Sequence, residues 1–203
     1  MVTAKATART TVDTTSQTKI QNLGVYGVDS EGVTTITYTR SLNHPIETVW
    51  QFITVGDQRK CWFPELELSA SLGGEAVVNF SGTDCPPLEE NPCDVYVCRI
   101  TGFEPPRLLE FSGPGEHHRY ELSEKPSGCE LKFTAVLPDR TAFDDPSKTI
   151  QSRYSVACGW HYKLDELQWS LDRVPFEDEG YAGPIKTQYY LAYLRLDETN
   201  QNH

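Results

Sequence analysis

Apolar and polar positions alternate along residues 33–42 (VTTITYTRSL), with Ile36, Tyr38, Arg40 and Leu42 on one face and Thr35, Thr37, Thr39 and Ser41 on the other. A period of two in a segment rich in β-branched residues predicts a strand. The period then lengthens. Pro45 suits the first position of a helix, and Val49, Trp50, Phe52 and Ile53 give residues 45–54 an apolar stripe. Gly56 breaks that helix, and DQRKCWF reads as a second short one that stops before Pro64. Ahead of the strand, GVYGVDSEG (24–32) reads as a turn-rich lead-in.

Period-two signals resume at 66–70 and 75–80, joined through Gly73-Gly74, and predict a hairpin. Four more strands are expected over 95–103, 107–112, 117–122 and 129–137, separated by Pro105-Pro106, Gly113-Pro114-Gly115 and Pro126-Ser127-Gly128. Connections this short make neighbouring strands antiparallel, because a parallel crossover needs a dozen residues or more. From about Lys148 to Val174 the period returns to that of a helix, with Ala157, Trp160, Leu164, Leu167, Leu171 and Val174 in register. Asp145-Pro146 offers a cap and a first helical residue, and Pro175 a stop. Such a helix is about 40 Å long, enough to cross a small sheet. The expected architecture is therefore α+β: a curved antiparallel sheet of about six or seven strands wrapped round a long C-terminal helix, with two short helices after the first strand. Residues 23–175 form the domain, 1–22 a disordered Thr-rich tail, and 176–203 an extension whose KTQYYLAYLRL segment suits either a helix or an edge strand.

Composition narrows the function. Among 203 residues, 18 Lys and Arg face 29 Asp and Glu, a net charge of -11. That field repels phosphate backbones and anionic headgroups, so nucleic acid and membrane partners are not expected. No apolar run reaches bilayer-spanning length, and residues 1–20 hold no apolar segment of the kind a secretory signal needs. A cytoplasmic location follows as the expectation, with the six cysteines as reduced thiols; a local disulfide among Cys85, Cys93 and Cys98, round the acidic Pro-rich loop 81–94, is the alternative. No GxSxG, HExxH or GxGxxG occurs, and neither a cofactor nor a metal site is expected.

The ordered segments ITYTRSLNHPIETVWQFIT, CWFP, SLGGEAVVNF, ITGFEPPRLLEFS, RYELSEKPSGCELKFT and ACGWHYKLDELQWSL resemble the SRPBCC superfamily, the START-like or Bet v 1-like helix-grip fold. Within it, the pattern is most similar to the C-terminal domain of the heat-shock-protein ATPase activator. The likeness spans about residues 33–174. It implies a largely apolar cavity between sheet and long helix, with a lipid-like, aromatic or polyketide-like molecule as partner. Gly159, in mid-helix, is expected to serve close approach of helix and sheet.

Alternation and helical spacing name the candidate lining: Tyr38, Arg40, Phe111, His118, Tyr120 and Phe133 from the strands, and Tyr154, Ala157, Trp160, His161 and Leu164 from the helix. His161 is either a general acid or base or a boundary histidine with one hydrogen bond. His118 with Tyr120 is either a pair that orients a ligand carbonyl or a half-exposed strand pair. Arg40 either reaches the cavity or pairs with an acid. His117 and His118 point to opposite faces and cannot share a metal ion. Cys158 with His161 at i, i+3 is a nucleophile pair in geometry, against a buried structural thiol as the alternative. A binding protein for a small apolar or aromatic molecule is the first expectation. A cyclase, dehydratase or lyase acting on such a molecule is the second, with His161, Tyr120 and His118 as catalytic candidates. A chaperone-associated interaction domain is the third. The loop 81–94 and the extension are candidates to lid the cavity, fill it or form a homodimer contact.

Overall fold

The computed structural model describes residues 22–29, 31–79, 95–137, 146–173 and 192–193. Eight antiparallel strands form one open sheet: β1 (Val25–Val28), β2 (Thr34–Leu42), β3 (Leu66–Leu68), β4 (Glu75–Asn79), β5 (Val95–Glu104), β6 (Leu108–Gly113), β7 (Glu116–Lys125) and β8 (Gly128–Val136). Between β2 and β3 lie the short helices α1 (Ile46–Thr54) and α2 (Gly56–Arg59), and after β8 comes the long helix α3 (Pro146–Asp172). Spatial order is β1-β2-β8-β7-β6-β5-β4-β3, so the expected first strand pairs with the last one and closes the meander's far side. The fold is the helix-grip arrangement of a curved, unclosed sheet against a C-terminal helix.

Each buried face follows from the alternation. Along β2, Ile36, Tyr38, Arg40 and Leu42 are buried; along β8 the same holds for Cys129, Leu131, Phe133 and Ala135. Register keeps the faces together, with Tyr38 opposite Phe133 and Tyr120 opposite Phe133 from the other side. A register shift between Ile100 and Gly102 in the β5–β6 pair adds local bend to the sheet. On α1, Ile46, Val49, Trp50 and Ile53 are buried, and the Trp62 indole donates to the Phe52 carbonyl at 2.9 Å, fastening the segment after α2 back onto α1.

The structure corrects two expectations. Residues 24–32 do not serve only as a turn: Val25–Val28 pair with Thr34–Thr37 of β2 and supply an additional strand. Gly27 and the following Asp-Ser-Glu-Gly hide the strand signal, and Val25 and Val28 lie largely exposed on that edge. Gly159 does not bring helix and sheet together, since a Cβ placed there meets, among the described residues, no atom beyond its own helix within 4 Å. The Gly73-Gly74 turn behaves as expected. Gly73 has φ +78°, and a Cβ on Gly74 would lie 2.1 Å from the Ser69 carbonyl oxygen. The tail 1–21, the loop 80–94 with Cys85 and Cys93, the proposed Asp145 cap, Pro175 and most of the extension lie outside the described residues. Cys98, the third member of the alternative local disulfide, is a free buried thiol.

Candidate functional site

The inner face of β7 holds the polar centre. Its alternation sends His118, Tyr120 and Leu122 towards α3, and His118 and Tyr120 are each 1% exposed. Around them stand Phe111 from β6, Phe133 from β8 and Trp160 from α3. The His118 ring lies 4.8 Å from Phe111 and 4.6 Å from Trp160, Tyr120 lies 4.7 Å from Phe133, and Phe133 lies 4.8 Å from Trp160, between centroids. These separations are those of packed aromatic rings. The five candidates Phe111, His118, Tyr120, Phe133 and Trp160 thus form one cluster.

Hydrogen bonding in that cluster is incomplete. His118 Nε2 lies 2.7 Å from Glu116 Oε2, and a carboxylate only accepts, so Nε2 carries the proton in that pair. Among the described residues the other ring nitrogen, Nδ1, faces the interior without a hydrogen-bond partner. The Tyr120 hydroxyl is buried and unpartnered as well. Burial pushes its ionisation well above the ordinary phenol value, so it stays a neutral O–H donor. A buried polar group left unmatched costs about 1–3 kcal/mol. Two polar atoms, two residues apart on one strand, therefore face the helix unsatisfied.

A second group gathers on the β2 side. The Tyr38 hydroxyl donates to the Ala157 carbonyl at 2.6 Å, and His161 meets the Tyr38 ring edge-on at 6.0 Å. His161 lies in the interior, 2% exposed, with Nδ1 2.9 Å from the Tyr193 hydroxyl and Nε2 3.7 Å from Asp165. Burial, reinforced by the Arg40 charge, lowers its pKa to about 3, so the ring is neutral at ordinary pH. Arg40 takes the ion-pair alternative. It lies 3.4 Å from Asp165 and donates to the Asn22 carbonyl at 2.7 Å. Tyr154, Leu164 and Cys158 are buried in the same core. His161 is thus engaged with Tyr38 and Tyr193, while His118 and Tyr120 are grouped round Trp160.

Three residues of these surroundings have no counterpart among the candidates read from sequence. Glu116 precedes the segment whose alternation predicts a strand, yet β7 begins with it and its side chain reaches His118. Tyr193 comes from the extension; it is helical together with Ala192, is fully buried, and its hydroxyl accepts from the Gly24 N–H at 2.9 Å. Arg59 sits in the polar run DQRK, where no periodicity marks it as buried, yet it is 4% exposed at the end of α2. His117, by contrast, points outward to Glu110 at 3.5 Å, as the alternation requires.

On the outer face, a depression of about 460 Å³ is bounded by Glu104, Arg107, Arg119, Glu121, Glu130 and Lys132. Most of its charges are paired: Arg119 with Glu110 and Glu121, Lys132 with Glu121, Arg107 with Glu124 and Glu130 with Lys125. A self-neutralised surface network asks for no ligand. Among the described residues no group of three or more His, Cys, Asp or Glu is placed to hold a metal ion, and no helix is long and apolar enough to cross a membrane.

The model of the family described as Activator of Hsp90 ATPase homolog 1-like protein matches residues 43–172, from the start of α1 to the end of α3. The chain belongs to this family. Membership covers α1 through α3 and so includes the whole His118–Tyr120–Trp160 cluster, while β1 and Tyr193 lie beyond the match. Among solved structures, the family fold recurs in CalU16 from Micromonospora echinospora at 19% identity and TM-score 0.61, covering 87% of this chain and 96% of that one. A conserved protein of unknown function, EF2215 from Enterococcus faecalis, is similar at 17% identity and TM-score 0.61, over 85% of this chain and 91% of its own. DynU16, a protein of the dynemicin biosynthetic locus, matches at 19% identity and TM-score 0.52, over 68% of this chain and 47% of that chain. Likeness at this identity establishes the fold alone. No curated protein matches the chain.

Proposed function

We propose that this family member is a small-molecule-binding protein that holds a largely apolar, aromatic or polyketide-like ligand between the inner face of the sheet and α3. The observation that carries this reading is the unmatched pair on β7: His118 Nδ1 as acceptor and the Tyr120 O–H as donor, both buried among aromatic rings. A site of this composition, apolar with few convergent polar groups, is what small-molecule recognition uses. A ligand hydroxyl would donate to His118 Nδ1, and a ligand oxygen would accept from Tyr120. Each bond would remove an unmatched polar group and so contribute about 1–3 kcal/mol. The family's printed name also admits action on a chaperone ATPase. Against that, the large exposed hydrophobics among the described residues, Val25, Val28, Val55, Leu72, Val95 and Val97, are spread over β1, the α1–α2 joint, the β3–β4 turn and β5. Native mass spectrometry of the full chain purified from its source tests the proposal. A discrete added mass that is lost on denaturation is the expected result; bare protein that also gains no mass from a crude small-molecule extract would contradict it.

Catalysis at the same place is the second reading, favoured by the Glu116–His118 pair. A carboxylate on Nε2 orients the ring, the arrangement of a general base. There His118 would accept a proton from the ligand while Tyr120 donates to the oxygen that gathers the charge. Turnover of the recovered ligand, abolished by His118→Gln with binding retained, would distinguish catalysis from binding alone.

A further inference from the structure

Tyr193 sits in the interior at the β2 side much as a bound molecule would. It lies past the family match, which stops at 172, and past the end of α3 at Asp172. Its side chain is nevertheless fully buried. The ring meets two others edge-on, with centroids 5.9 Å from His161 and 6.4 Å from Tyr26. The hydroxyl is held at two points: it lies 2.9 Å from His161 Nδ1 and accepts from the Gly24 N–H at 2.9 Å. Burial pushes its ionisation up to about 12, so the group in place is a neutral phenol.

The backbone that holds it is shaped for close approach. A Cβ on Gly24 would lie 2.7 Å from the Tyr38 ring, so glycine is what lets this N–H come down onto the hydroxyl. Arg40 anchors the same segment through the Asn22 carbonyl at 2.7 Å. Plain core packing asks only for a ring of this size. Two polar atoms converging on one hydroxyl between aromatic rings is the composition of a small-molecule site.

We infer that His161, Tyr26 and the Gly24 N–H form a subsite for a phenol, which this chain fills with its own Tyr193 as an internal ligand. While Tyr193 is in place the subsite is closed to other rings. With Tyr193 out of it, the hydroxylated ring of an external molecule enters, its hydroxyl against His161. These contacts are separate from the His118–Tyr120 pair, so the subsite stands or falls independently of the reading above.

Vacating the subsite and asking what refills it is the test. The full chain carrying Tyr193→Gly is titrated with 4-methylphenol, the tyrosine side chain as a free molecule, and with toluene, which lacks only the hydroxyl. The 15N signals of the His161 imidazole report occupancy, so a compound bound beside Trp160 is not counted. A plain apolar cavity favours toluene, because the hydroxyl of the phenol must shed its water without replacement. The expected result is the reverse: 4-methylphenol shifts the His161 signals, raises the melting temperature of the variant and binds about ten-fold more tightly than toluene. In the wild type neither compound should move those signals. Adding His161→Leu to the variant should erase the preference, read by melting temperature. If Tyr193→Gly is unfolded as purified, recovery of the fold with 4-methylphenol and not with toluene is the same positive result. Toluene binding as tightly as 4-methylphenol overturns the inference, and so does a His161 signal, or an unfolded variant, that does not respond to 4-methylphenol.

Discussion

Tyr120 and phenylalanine differ by one oxygen atom, and in this chain that atom is buried without a partner. Tyr120→Phe should therefore leave the melting temperature unchanged or raise it, by up to a few degrees, since no hydrogen bond is lost and a desolvated hydroxyl is removed. A clear fall in melting temperature would show that the hydroxyl is satisfied in the fold and is not held for a ligand. His161 makes the opposite case, a titratable group kept neutral. Its pKa falls from 6.5 to about 3, so between those values the unfolded chain takes up a proton that the folded chain refuses. Stability then rises with pH across that window, by up to about 1.4 kcal/mol per pH unit from this group. Urea midpoints measured from pH 4 to 6 should show the slope, and His161→Gln should flatten it. At this scale the alternation of β7 was enough to place His118 and Tyr120 on one face. Arg59 was not legible, because burial of a polar side chain in a four-residue helix leaves no period to read.

Elements were legible wherever the period was strong. β2, β5 to β8 and α3 stand within a few residues of the positions their patterns dictate. β1 escaped because four residues split by Gly27 gain strand character only by pairing with β2. In α3 the physical role assigned to Gly159 fails, and a prediction follows from its open surroundings. Gly159→Ala should stabilise the protein by about 1 kcal/mol, the difference in helix propensity, and raise the melting temperature by about 2–4 °C. A loss of stability would mean that helix and sheet do close over that position. Tyr193 ties three pieces together by accepting from Gly24 and bonding His161. Tyr193→Phe should cost about 1–3 kcal/mol and speed amide exchange along β1, measured against β6 as an internal reference. The contact was invisible in sequence, since 32 positions separate Tyr193 from His161 and no pattern links them.

For the whole molecule, the order of elements carried more information than any one motif. A first strand, two short helices, a meander and a long amphipathic helix admit few packings, and the sheet's one apolar face has α3 to cover it. What that order cannot encode is which interior positions stay chemically unmatched, because satisfaction depends on distances between residues far apart in the chain. The proposed ligand enters between the sheet and α3, beside Trp160. The chain has four tryptophans, so its indole N–H resonances form a small map. Titrating the 15N-labelled full chain with the ligand recovered from the native protein should move the Trp160 indole signal strongly. Trp62, whose indole is already bound to the Phe52 carbonyl, should stay close to its free position. A bound ligand that shifts Trp50, Trp62 or Trp169 while Trp160 stays still would place the site elsewhere and contradict the account.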